Sequence, residues 1–149
     1  MMQTPFQKTI GHIARVCGRG YWTGEQVSLT FLPAEPDTGI VFRRVDLPGR
    51  PTIPALSAYR TDAKLRTRLE HDGAGVEMVE HVLASLYGLG IDNCIIECDA
   101  DEMPGMDGSA YAMALAIHQA GMKTFAKPAR FYSIQHPIRV GNEIGRAHV

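Results

Sequence analysis

The spacing of apolar residues along this chain changes once, near residue 79, and that change limits the folds open to it. Before it the period is two: Val27, Leu29 and Phe31 alternate with Ser28 and Thr30, and Leu65, Thr67 and Leu69 alternate with Arg66 and Arg68. Such alternation turns one face of a strand inward. Residues 6–17 and 40–45 are strand-like with a poorer alternation. From Val79 the period becomes helical, with Val79, Val82, Leu83 and Leu86 at i, i+3, i+4 and i+7. On that helix His81 points away from the stripe, beside Ala84, Ser85 and Gly88, a small-residue face that leaves room for a ligand.

A further strand is expected over residues 93–99. A second helix starts after Pro104 with Asp107 or Ser109 as its cap, buries Ala110, Met113, Ala114 and Ile117, and ends at Gly121. Strands first and helix–strand–helix afterwards imply an α+β fold, a small sheet packed by two helices, rather than a doubly wound sheet. Gly18, Gly20 and Gly24 lie between two strands, so they predict a hairpin and not a dinucleotide-binding turn. Residues 123–127 read as a connection and residues 130–140 as a fresh strand.

A length of 149 residues suits one domain with the opening of a second. With 45% apolar and 21% charged residues the composition is that of a soluble globular protein. No apolar run approaches the roughly 18 residues that span a bilayer, and the first residues lack a signal peptide's apolar stretch, so a cytoplasmic location is expected. Cys94, Ile96 and Cys98 share one strand face and read as small core residues rather than metal ligands. Seven basic residues lie between Arg43 and Arg68, and ten acids without Lys or Arg lie between Glu70 and Asp107. Oppositely charged solvated faces explain this more simply than a surface for a phosphate-bearing ligand. The basic residues lack interleaved aromatics and any nucleic-acid motif, so no nucleic-acid partner is expected.

The pair Glu80-His81 opens the first helix. An imidazole can hold a metal while an adjacent carboxylate takes the proton of an attacking water. One His is only one ligand, and a catalytic zinc takes about three plus water. The pair is therefore part of a site.

Several segments, in order, are similar to those of the zinc-dependent UDP-3-O-acyl-N-acetylglucosamine deacetylases of lipid A synthesis. They are Gln7-Lys8-Thr9-Ile10, Gly18-x-Gly20-x-x-Thr23-Gly24, Pro33-Ala34, Asp37-Thr38-Gly39-Ile40-x-Phe42-Arg43-Arg44-x-Asp46-Leu47 and Ile53-Pro54-Ala55. After these come Val79-Glu80-His81-x-Leu83-Ala84, Gly88-Leu89-Gly90-Ile91-Asp92-Asn93 and Glu102-x-Pro104-x-Met106-Asp107-Gly108-Ser109-Ala110. The resemblance implies the first of two similar α+β domains, with His81 as a ligand of Zn2+ and Glu80 as the general base. The other ligands, a His and an Asp four residues later, would belong to the second domain, and none of the six histidines here has an Asp at i+4.

The implied substrate is UDP-3-O-acyl-N-acetylglucosamine, and the implied place of work is the cytoplasmic side of the inner membrane, through peripheral contact. The expected division is a first domain over 1–126, the opening strand of a truncated second domain over 127–143, and a non-native tail over 144–149 that resembles a translated sequencing adapter. Alone, such a half is expected to be inactive. Three positions depart from the family pattern: Trp22 stands where a His is common, Met78 where a Ser or Thr is usual, and Gly105 where an aliphatic is usual. They leave open a divergent, non-catalytic paralogue acting as a binding module.

Overall fold

The computed structural model describes residues 5–139. Its centre is a mixed five-stranded sheet of β2 (Ala14–Arg19), β3 (Gln26–Pro33), β4 (Ile40–Arg44), β5 (Thr52–Pro54) and β9 (Cys94–Cys98), in the order β2-β3-β9-β4-β5. Only β4 and β9 run parallel; β3 is antiparallel to both β2 and β9. A three-stranded sheet holds β6 (Arg60–Thr61), β7 (Arg68–His71) and β8 (Ala74–Glu77), and β1 (Phe6–Ile10) pairs with β10 (Met122–Pro128) as a ribbon. Two helices, α1 (Glu80–Gly88) and α2 (Tyr111–Gln119), complete the α+β fold.

The alternating strand at residues 27–31 buries Val27, Leu29 and Phe31 completely, and the face shared by Cys94, Ile96 and Cys98 is also wholly buried. Against these pack Val79, Val82 and Leu86 from the start and body of α1, and Met113 and Ile117 from α2. Burial pushes the Cys94 and Cys98 thiols up to about 12, so both behave as inert apolar groups. Ala110 and Ala114 are only half-buried, because α2 offers a narrow stripe to the core.

Several expectations need correction. Leu65 is no strand residue: it sits in a turn with φ +60° and is 80% exposed, and β7 starts only at Arg68. Asp72 and Gly73, at φ +49° and +77°, then make a tight hairpin into β8, whose four residues are all buried and so show no alternation in sequence. Residues 123–127 are no connection either. They belong to β10, which is almost wholly exposed and held to β1 by its backbone, so no apolar period marks it. Residues 130–139 form no strand, since nothing among the described residues pairs with them; residue 140 and the tail 144–149 lie outside the described residues. Ser85 is buried with its hydroxyl donating to Val82 O at 2.7 Å, so the inner arc of α1 is turned towards Ser85 and away from half-buried Leu83. Ala84 and Gly88 remain exposed as expected.

Helix α2 is capped indirectly. Asp107 Oδ1 accepts from the Ser109 N–H and hydroxyl at 3.0 and 2.7 Å, and Ser109 Oγ accepts from the Tyr111 N–H at 3.1 Å. These bonds hold the Asp107 carboxyl below the usual carboxylate range. Gly121 ends the helix at φ +70°.

Candidate functional site

Much of the motif set does structural work. Gln7 Nε2 donates to Asp37 Oδ1 at 2.8 Å, the Asp37 N–H donates to Gln7 Oε1 at 2.9 Å, and Asn93 Nδ2 donates to the same oxygen at 2.9 Å. Asn93 Oδ1 takes the Gly39 N–H at 3.0 Å, Thr9 Oγ1 takes that of Ala34 at 3.0 Å, and Asp92 Oδ2 takes that of Lys8 at 2.7 Å. Buried Gln7, Thr9 and Asn93 are thereby satisfied, and they pin β1 to the loops around it. Arg44, 8% exposed, forks onto Asp46 at 2.6 and 2.8 Å and donates through Nη1 to Gly75 O at 2.7 Å. That ties β4 to β8, the strand that delivers Glu80. Four of the other six basic residues of this stretch also find acids: Arg43–Glu97, Arg60–Asp62, Arg66–Glu77 and Arg68 with Glu70 and Glu77. Five of the seven basic residues of this stretch are thus paired with acids in place.

Glu80 and His81 occupy the first turn of α1, both half-buried. They open into a cleft of about 330 Å³, also lined by Tyr21, Trp22, Leu65, Met78, Gly105 and Gly108. Four segments meet there: the turn between β2 and β3, the turn before β7, the junction of β8 with α1, and the loop before α2. Backbone bonds join them. Glu77 N–H donates to Asp101 O at 2.8 Å, Met103 N–H to Glu77 O at 2.9 Å, and Gly105 N–H to Arg19 O at 2.9 Å. Glu80 Oε2 accepts the Thr67 N–H at 3.1 Å, which fixes the carboxylate against the turn before β7. Asp107 lies close enough for the His81 charge to contribute to its lowered pKa, after the Ser109 hydrogen bonds.

Two lining residues, Leu65 and Met78, hold positive φ, at +60° and +59°. Backbone strain of this kind costs of order 1–3 kcal/mol and gathers at ligand sites.

His81 is the one histidine lining this cleft. His12 borders a separate groove, His71 stacks edge-on against Tyr59, and His148 lies outside the described residues. Among the described residues no three His, Cys, Asp or Glu side chains gather as a metal cage. The donors present fit a partial zinc site: one imidazole, with a carboxylate beside it.

Sequence reasoning missed the residue that shapes the cleft wall. Glu102 is completely buried and accepts the Trp22 N–H at 2.7 Å and the Thr23 N–H at 2.8 Å. Burial raises its pKa, but the N–H groups of Trp22, Thr23 and Tyr21 together with the Thr23 hydroxyl outweigh this and hold it below its ordinary value. Gly20 makes the room, since a Cβ there would collide with the Glu102 carboxylate and the Thr23 hydroxyl. The available signal was a Glu followed by Met103-Pro104: a carboxylate within a buried stretch needs donors. All three departures from the family pattern, Trp22, Met78 and Gly105, line this one cleft.

Fold and cleft define an α+β domain that presents a carboxylate–imidazole pair at the mouth of a ligand-sized cleft. A family model described as UDP-3-O-acyl N-acetylglycosamine deacetylase matches residues 7–149, and the chain belongs to that family. It is similar to the UDP-3-O-acyl-N-acetylglucosamine deacetylase of Saccharophagus degradans, at 48% identity over 134 residues, which is 90% of this chain and 44% of that protein. The chain thus spans less than half the length of this relative. No helix among the described residues is long and apolar enough to cross a membrane.

Proposed function

We propose that this chain supplies the Glu80–His81 half of the active site of a zinc-dependent deacetylase. The complete enzyme removes acetate from the 2-acetamido group of UDP-3-O-acyl-N-acetylglucosamine on the way to lipid A, in the cytoplasm at the inner membrane. The carrying observation is that Glu80 and His81 line one cleft, with Glu80 anchored at 3.1 Å to the Thr67 N–H.

His81 would hold the metal as one of its ligands. Zinc, when bound, supplies a Lewis acid that polarises the acetamido carbonyl. Glu80 takes the proton of the attacking water; its Oε2 is engaged by Thr67, which leaves Oε1 for the water. The remaining ligands and the donors that stabilise the oxyanion belong to a second domain outside this chain.

The test is acetate release from the UDP-sugar by residues 1–149 alone and by the full-length protein that carries them. The reading expects zinc-dependent turnover only in the latter. Turnover by the chain alone at a full-length homologue's rate would refute it. The gathering of Trp22, Met78 and Gly105 in the cleft favours a second reading, a binding module without turnover. That reading expects the full-length protein to bind the UDP-sugar and release no acetate.

A further inference from the structure

We infer that Trp22 is a sugar-binding residue, its indole forming the wall on which the pyranose ring of the substrate packs. This rests on the deacetylase reading above. Trp22 shares the cleft with Glu80 and His81, yet 48% of it is exposed. Burial in the core therefore does not account for its place.

The residue is nevertheless held firmly. Its backbone N–H donates to buried Glu102 at 2.7 Å, and its ring is flanked by the Arg66 guanidinium, 5.1 Å from the centroid, and by Tyr21 edge-on at 5.3 Å. Arg66 is in turn paired with Glu77 at 3.0 Å. A side chain fixed before the ligand arrives loses little further entropy on binding. Gly105 helps to keep the wall in place, because a Cβ there would come within 3.2 Å of Tyr21 Cβ.

Chemistry selects the occupant. The acetamido nitrogen is bonded directly to a pyranose carbon, so a ligand presenting its amide to Glu80 and His81 must bring that ring into the same cleft. A volume of about 330 Å³ suits a sugar ring with its amide rather than a whole nucleotide sugar. The C–H bonds on a pyranose face carry slight positive charge, and an aromatic face is negative, so the two attract as they exclude water.

Trp22→Leu and Trp22→Phe are compared in the full-length protein, with Glu80→Gln alongside. Trp22→Leu keeps apolar bulk but no aromatic face, and is expected to raise KM about tenfold while kcat changes far less, the pattern of lost uniform binding. Trp22→Phe is expected to raise KM about two- to threefold, since it keeps a smaller aromatic face. Inhibition by UDP is expected to weaken little in either variant. A KM for Trp22→Leu within about twofold of the parent's would overturn the proposal. So would a UDP inhibition constant that rises in step with KM, because the wall would then serve the nucleotide. Failure of the underlying reading shows elsewhere, as full turnover in Glu80→Gln.

Discussion

Glu80 and Thr67 are joined by a hydrogen bond, the backbone N–H of Thr67 donating to Glu80 Oε2 at 3.1 Å. The helix that carries the pair and the turn that carries Leu65 are therefore fixed to each other by the side chain assigned the base role. Gln can still accept this bond through its amide oxygen, whereas Ala cannot. Glu80→Gln should unfold in urea near the parent, and Glu80→Ala about 1 kcal/mol below it, the usual net worth of such a bond. Equal stability in the two variants would mean that the bond does not hold the turn.

The buried Glu102 should give the fold an acid-sensitive point. Its pKa in the folded chain is below the ordinary value. Its stabilising contribution is thus fully present above about pH 4.3 and is lost as pH falls through the depressed folded value. Glu102→Ala, which leaves two N–H groups without their charged acceptor, should cost about 2–3 kcal/mol at neutral pH. Glu102→Gln should flatten the fall in stability with acid. Trp22 is the only tryptophan in the chain, so its emission follows both transitions.

The thiols should divide two to one. Cys94 and Cys98 are buried with pKa values pushed up to about 12, and Cys17 is exposed. Iodoacetamide at neutral pH should modify Cys17 alone in the folded chain and all three cysteines in denaturant. Rapid modification of Cys94 or Cys98 under native conditions would contradict the buried face of β9.

What sequence reveals here follows how each element is held. The β3 strand, the β9 face and the inner stripe of α1 are legible because apolar burial imposes a period on them. β8 is buried at every residue and β10 at almost none, so neither shows one. Leu65 mimics a strand position, yet its backbone is left-handed and its side chain lies in water. At the site, Glu80 and His81 stand out as neighbours in sequence. Leu65 and Trp22 reach the same cleft from distant segments, and no spacing rule links them. The role of Glu102 becomes visible only once the β2–β3 turn folds over it.

The outer faces of the helices leave large apolar side chains in water: Tyr87 at 89% exposure, Tyr111 at 67% and Leu115 at 40%. Exposed apolar surface beyond a few hundred Å² favours association. Residues 1–149 should therefore self-associate in sedimentation velocity at micromolar concentration, and Tyr87→Glu with Leu115→Glu should shift the chain towards monomer. A parent chain that stays monomeric would show that this face is not adhesive.

The central claim is that His81 holds zinc while Glu80 moves a proton, and metal content measured beside turnover tests it most directly. In the full-length protein, Glu80→Gln should keep its zinc and lose about 10²–10⁴-fold in kcat, the usual cost of a missing general base. His81→Ala should lose both metal and rate. Zinc retained in His81→Ala but lost in Glu80→Gln would contradict the assignment, as would full activity in Glu80→Gln.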